Sequence, residues 1–147
     1  MKRINHQQGA SLFEFLIVIP VLLILAFTAI EFGAVFVRLN TIHKSVQDAA
    51  RYLSATSVAK SNTAAQKTIA ANLIQYGSVS AGTQILPGTF EAPVIQTVGG
   101  EHVSVSVVYH HTSIMGEALS NLLQLIGGSG IDLSLDLTAS SVMRYVQ

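Results

Sequence analysis

The sequence predicts an α+β protein: a long N-terminal transmembrane helix continues past the membrane as a spine, packed by a short helix and a small antiparallel sheet. Three observations predict it. From Leu12 to Phe36 the chain is apolar except at Glu14, Pro20, Thr28, Glu31 and Gly33. Past Phe36, apolar residues recur at Leu39, Ile42, Val46, Ala49 and Leu53, and steps of three and four place them on one helix face. Later, apolar and polar residues alternate from Val94 to His110 and from Ile131 to Ala139, as half-buried strands require.

Composition bounds the reading. Half of the 147 residues are hydrophobic, only 11% are charged, and the mean hydropathy is +0.50, whereas an ordinary soluble domain has about 25% charged residues. The formal charge is +0, and no Lys/Arg cluster offers the phosphate-tracking surface that nucleic acid needs. Nucleic acid is not an expected partner. The absence of cysteine removes disulfides, thiolate metal sites and a Cys nucleophile. Outside the apolar segment roughly 110 residues remain, enough for one compact domain.

The first element is the span. Its length of about 25 residues exceeds the roughly 20 that cross a hydrocarbon core. Between Phe15 and Ile30 only Thr28 is polar among the residues flanking Pro20, and each large apolar residue contributes about −0.3 to −0.6 kcal/mol on insertion. Lys2 and Arg3 precede the span, while Glu31 opposes Arg38 beyond it, so the positive-inside bias keeps the N-terminus cytoplasmic. The chain after about residue 38 is then extracytoplasmic. A cleaved secretory signal is the competing reading, but its apolar region spans only about 7–15 residues before a small-x-small site. The nearest such triplet, Ser57-Val58-Ala59, lies far beyond the apolar run.

Glu14 is the anomaly in the span. A carboxylate at mid-membrane costs about 2.5–3.5 kcal/mol and less near the interface, so a cationic partner is expected. Gly9 precedes Glu14 at the spacing Gly-x4-Glu after a short basic leader, and this looks like a prepilin peptidase site. Cleavage of the Gly9–Ala10 bond would give Ala10 a free amine. That amine and Glu14 of a neighbouring copy could neutralise each other in an apolar filament core, specifying register more than adding stability.

The run Gly9-Ala10-Ser11-Leu12-Phe13-Glu14-Phe15 leads into Pro20-Val21-Leu22-Leu23, then Ile30-Glu31-Phe32-Gly33, and less closely Asp48-Ala49-Ala50-Arg51-Tyr52. Over about the first 55 residues the chain resembles the TadE-like minor pseudopilins of tight-adherence (Flp-type, type IV-like) pilus systems. Glu14-Phe15 stands where the major pilins of such systems have Glu-Tyr, and the chain is far longer than those subunits. The minor-pilin reading is therefore favoured. The resemblance implies a pilin-like architecture and a part in pilus assembly, with the N-terminal helix held in the bacterial inner membrane beforehand. Its implied partners are membrane lipid, other pilin and pseudopilin subunits, a prepilin peptidase and the pilus assembly platform proteins. It assigns Gly9 and Ala10 to processing, and Glu14 and Phe15 to assembly and register. The alternative is a permanently anchored single-span protein with an extracytoplasmic adaptor domain.

Pro20 removes an N–H and clashes with a carbonyl one turn back, so a helix kink or an opened turn is expected there. The expected divisions are a basic leader over 1–9, the transmembrane helix over 10–37, its extramembrane continuation over 38–58, and the α+β domain over 59–147. The seam from Leu39 to Leu53 is about two heptads long, which favours an intramolecular core over a coiled coil.

In the outer domain Thr63 and Gln66 form a capping-box pair, Ala65, Ile69, Leu73 and Tyr76 recur at helical spacing, and Gly77 stops the helix. Residues 78–88 read as loop, and Pro93 argues against a central strand before it. Val94–Val98 and His102–His110 read as a hairpin with a two-residue glycine turn at Gly99-Gly100, burying Val103, Val105, Val107 and Tyr109. Residues 114–126 read as a helix with Leu119, Leu122, Leu123 and Ile126 on one side, ended by Gly127-Gly128. In the last strand Ile131, Leu133, Leu135, Leu137 and Ala139 face inward.

No catalytic constellation stands out, and no enzyme, cofactor or metal site is expected. His110 and His111 are adjacent strand residues pointing to opposite faces, so they cannot hold one ion together. His102 shares the face of His110 but lies about 26 Å away along the strand. Asp132 and Asp136 read as solvent-face residues, and no glycine-rich phosphate loop stands at a strand-to-helix junction.

Overall fold

The computed structural model describes residues 7–56 and 62–146, with side chains from residue 12 onward. The basic leader up to residue 6, the Ser57-Val58-Ala59 triplet and the expected boundary at 58/59 lie outside the described residues.

The first helix, α1, is Gln7–Thr56. Its apolar part is exposed along nearly its whole length, at a mean hydropathy of 2.7 for the most apolar window and with none of that window buried. Exposed leucines, isoleucines and phenylalanines on every side of a helix are stable only in an apolar medium, so this is a membrane-capable span. Hydroxyls within α1 are satisfied internally: Thr28 Oγ1 donates to the Ile24 carbonyl at 2.7 Å, which removes its need for water. Pro20 lies inside α1, which stays helical on both sides of it.

The described chain forms two compact units that share α1. One groups Met1–Ala34 with Ser113–Leu133, the other Val35–Thr112 with Ser134–Gln147. The first contains the span and helix α3, Gly116–Leu125. Of the apolar residues expected to line α3, Leu119 is buried and Leu122 and Leu123 are half-buried, but Ile126 is exposed. The helix also starts two residues later than expected, and Gly127 follows it in the left-handed region at φ 84°.

The second unit holds the core. Helix α2, Ala64–Tyr76, carries the full Thr63/Gln66 capping box and ends at Gly77 with φ 65°. Its buried residues are Ala70 and Ile74, whereas Ala65 is exposed, so the inward face is turned by about one residue from the expected one. Four strands follow in one antiparallel sheet: β1 Gly88–Phe90, β2 Val94–Val98, β3 His102–His111 and β4 Leu135–Arg144. Strand β3 is central. It pairs with β4 along its whole length on one side and with β2 and then β1 on the other.

Pro93 explains the break between β1 and β2. Phe90 pairs with Tyr109 and Val94 with Ser106, so Glu91, Ala92 and Pro93 stand opposite only Val107 and Val108. One extra residue at an edge is a β-bulge, where a residue without an N–H is tolerated.

The hairpin turn has three residues rather than two. Val98 pairs with His102, leaving Gly99, Gly100 and Glu101 in the loop, with both glycines at positive φ (61° and 71°). Strand β4 is shifted relative to the expectation. Ile131 and Leu133 precede it, Leu135 is half-exposed, and the strand runs on to Arg144 with Leu137, Ala139, Ser141 and Met143 turned inward. Alternation alone cannot mark where pairing begins, and β4 starts where β3 ends, at the His111↔Leu135 pair.

The core joins the helix seam to the sheet. Ile42, Val46, Ala49, Ala50 and Leu53 of α1 pack with Ala70 and Ile74 of α2, and with Val103, Val105, Val107 and Tyr109 of β3. Leu39 alone of the expected seam is only half-buried. The seam is therefore intramolecular. Tyr145 closes the far end: its N–H donates to the Glu101 carbonyl, and its hydroxyl meets Asn62 at 2.9 Å and Thr97 at 3.1 Å.

Candidate functional site

The residues expected to carry function lie at the N-terminal end of α1. The backbone of Gly9 and Ala10 is helical, within Gln7–Thr56, and the Ala10 side chain lies outside what is described. Glu14 and Phe15 are both exposed, flanked by exposed Phe13 and Leu16. A carboxylate on such a surface stands among groups that favour lipid or another apolar helix.

The second acid of the span behaves differently. Glu31 is only 5% exposed. Its Oε2 accepts from the Met115 N–H at 2.9 Å and the Ile114 N–H at 3.1 Å, with Oε1 at 3.3 Å from the latter. These donors lie at the start of α3, whose cap position is Met115, a residue with no side-chain acceptor. The first N–H groups of a helix lack intrahelical partners and bear partial positive charge. Glu31 supplies the missing cap from 83 residues away in sequence. Ser113, the residue with the right chemistry to cap α3 locally, finds no hydrogen-bond partner for its buried Oγ among the described residues.

In the sequence Glu31 reads as an interruption of the apolar run, a charge at its far side and part of the family resemblance, with no partner assigned to it. The signal that could have found it is the pairing of an acid at the end of an apolar run with a downstream helix that begins Ile-Met-Gly.

In the other unit Arg38 is 7% exposed. Its Nη1 donates to the Thr112 carbonyl at 2.7 Å and to His111 Nδ1 at 2.6 Å. Guanidinium nitrogens only donate, so Nδ1 must be the acceptor and the ring is the neutral Nε2–H tautomer. His111 is buried on the inward face that continues Val103, Val105, Val107 and Tyr109. Tyr109 donates its hydroxyl to the Pro87 carbonyl. Burial pushes its phenol above the ordinary range, with the Arg38 charge pulling partly the other way.

His110, on the opposite face, meets Asp136 at 2.6 Å through Nδ1 and Glu91 at 3.2 Å through Nε2. Its pKa is raised above the ordinary histidine value, chiefly by the hydrogen bond to Asp136. These contacts tie β3 to β4 and to the bulge beside β1. Among the described residues no group of three or more His, Asp or Glu is arranged to hold a metal ion.

Comparison with known proteins gives one family. No curated protein and no solved structure matches the chain. Residues 9–51 match the family model described as TadE-like protein, a segment that starts at Gly9 and takes in Glu14, Pro20, Glu31 and Arg38. By that match the N-terminal segment, from the glycine before the span to Arg51, is similar to TadE-like proteins.

Proposed function

We propose that the protein is a minor pilin or pseudopilin that takes part in assembling a tight-adherence, type IV-like pilus. The observation that carries the reading is the TadE-like match over residues 9–51, laid on a helix whose most apolar stretch is left uncovered among the described residues. Such a surface is satisfied by lipid before assembly and by other apolar helices afterwards. The N-terminus is cytoplasmic and the domain beyond about Arg38 is extracytoplasmic, with the span in the bacterial inner membrane.

A prepilin peptidase cuts between Gly9 and Ala10, and pilus assembly platform proteins then draw the subunit into contact with other pilins. Glu14, exposed on the span, pairs with the new N-terminal amine of a neighbouring subunit, and Phe15 packs beside it. Pro20 bends the helix where extraction from the bilayer strains it.

Mass measurement of the protein extracted from membranes tests processing. A chain beginning at Ala10 is expected, and an intact leader in cells that possess the peptidase overturns the proposal. Glu14→Gln should be cleaved and inserted normally yet fail to enter, or to initiate, the filament. Full piliation with Glu14→Gln would show that the carboxylate plays no part in register.

A further inference from the structure

We infer that α3 is a second membrane contact, lying in the outer interface of the bilayer that α1 spans and held at that depth by Glu31. The inference rests on the single-span reading above but not on the pilus role.

Depth comes first. The apolar run from Leu12 to Phe36 is longer than the roughly 20 residues that cross a hydrocarbon core, so a helix that enters the core at Leu12 leaves it near Glu31, with Phe32 to Phe36 at the interface. The Glu31 carboxylate binds the Ile114 and Met115 N–H groups, so the start of α3 is fixed at the outer boundary of the apolar layer. A helix tethered there cannot lie far from lipid.

The chemistry of α3 agrees. At 100° per residue its apolar side chains fill an arc of about half the helix circumference, from Ala118 and Leu125 through Leu122 to Leu119 and Leu123. Glu117, Ser120, Asn121 and Gln124 fill the opposite arc. Only part of the apolar arc is used inside the protein: Leu119 is buried, while Leu125 is 79% exposed. Ile114 before the helix and Ile126 after it are also more than half exposed. A wide apolar arc facing outward at the membrane boundary is the pattern of an interfacial helix.

Charge decides between two kinds of interfacial binding. No Lys or Arg occurs between His111 and Arg144, and Glu117 and Asp132 are acidic. Attraction to anionic headgroups is therefore absent, and contact is by apolar burial, insensitive to salt.

The chain has no cysteine, so single-cysteine variants can be spin-labelled without background. Full-length Leu22→Cys, Asn121→Cys, Leu125→Cys and Ile126→Cys would each be reconstituted at one chain per nanodisc. The lipid would be a mixture of phosphatidylethanolamine and phosphatidylglycerol, with collision rates measured against oxygen and a water-soluble nickel chelate. Labels at 22, 125 and 126 should favour oxygen and lose nickel accessibility, while the label at 121 should stay open to nickel. Adding Glu31→Ala should return the label at 125 to water and leave the label at 22 in lipid. If 125 and 126 are as wet as 121 while 22 is in lipid, the inference is wrong and the span stands. If 22 is wet as well, the span reading fails and takes the inference with it. Protection at 125 that survives Glu31→Ala would overturn the tether.

Discussion

Replacing Glu31 with Ala should unfasten α3 without melting the sheet. The substitution removes the acceptor of two N–H groups at a helix start that has no cap of its own. A hydrogen bond to a charged group is worth about 1.5–3 kcal/mol, and an anion at a partly buried helix N-terminus up to about 2 kcal/mol. These overlap, so a combined loss of about 2–4 kcal/mol is expected for α3 opening. At about 1.4 kcal/mol per factor of ten, amide exchange from Leu119 to Leu123 should quicken roughly 30- to 700-fold. Amides of β3 should be unaffected. Glu31→Gln keeps a neutral acceptor and should show a smaller change, near 1 kcal/mol. The assay is hydrogen exchange in detergent micelles or nanodiscs, read by mass spectrometry on peptides covering 113–127. Unchanged exchange in the Ala variant would refute the capping role and leave Glu31 as an acid whose function lies outside its own chain.

Arg38→Met should destabilise the outer domain by about 2–4 kcal/mol, because the Thr112 carbonyl and His111 Nδ1 lose their donor. A double-mutant cycle with His111→Leu checks it, since purely additive effects would mean that the pair is not coupled. Gly88→Ala should cost about 1–3 kcal/mol from backbone strain alone at φ 127°. A Cβ there would also stand 2.7 Å from the His110 carbonyl oxygen, whereas one on Gly99 meets nothing within 4 Å. Thermal melts should therefore rank Gly88→Ala well below Gly99→Ala, and equal melting temperatures would contradict the geometry. The raised pKa of His110 means that the folded state favours its protonated form. That contribution is fully present below the unfolded value of about 6.5 and is lost as pH rises through the folded one. In an NMR titration Asp136→Asn should bring the His110 midpoint down, and no change would show that Asp136 is not the cause.

The elements legible in the sequence were those whose signal is local. Thr63, Gln66 and Gly77 mark both ends of α2 by capping chemistry, and the alternation from Val103 to Tyr109 gives the buried face of β3 without knowledge of its neighbours. What escaped depended on partners distant in sequence. The start of β4 is set by the end of β3, so Ile131 and Leu133 alternate like a strand yet precede the ladder, which begins at His111↔Leu135. The continuation to Arg144 follows from the same ladder. Ser140-Ser141, which weakens the apolar pattern, is carried across by Ser106 and Val105 on the central strand. The function-bearing segment was legible for a different reason. A charge in an apolar run has few physical excuses, which singles out Glu14, whereas Glu31 at the far side of the run reads as a boundary charge. Which excuse applied to each was beyond the pattern.

The two acids of the span now divide by what surrounds them. Glu31 is buried, and its oxygens are engaged by α3. Its charge is offset by a helix N-terminus within the same chain, so it has little to offer a neighbour. Glu14 is exposed, near the other end of the span and five residues past Gly9. A partner amine supplied by another subunit would find its carboxylate there. The expected pairing can therefore be tested by charge exchange rather than deletion. Glu14→Lys should block incorporation into filaments, and Glu31→Lys should release α3 by placing a cation against the positive end of that helix. If Glu31→Lys subunits assembled with α3 still protected from exchange while Glu14→Lys subunits assembled normally, the division of roles between the two acids would be wrong at both ends.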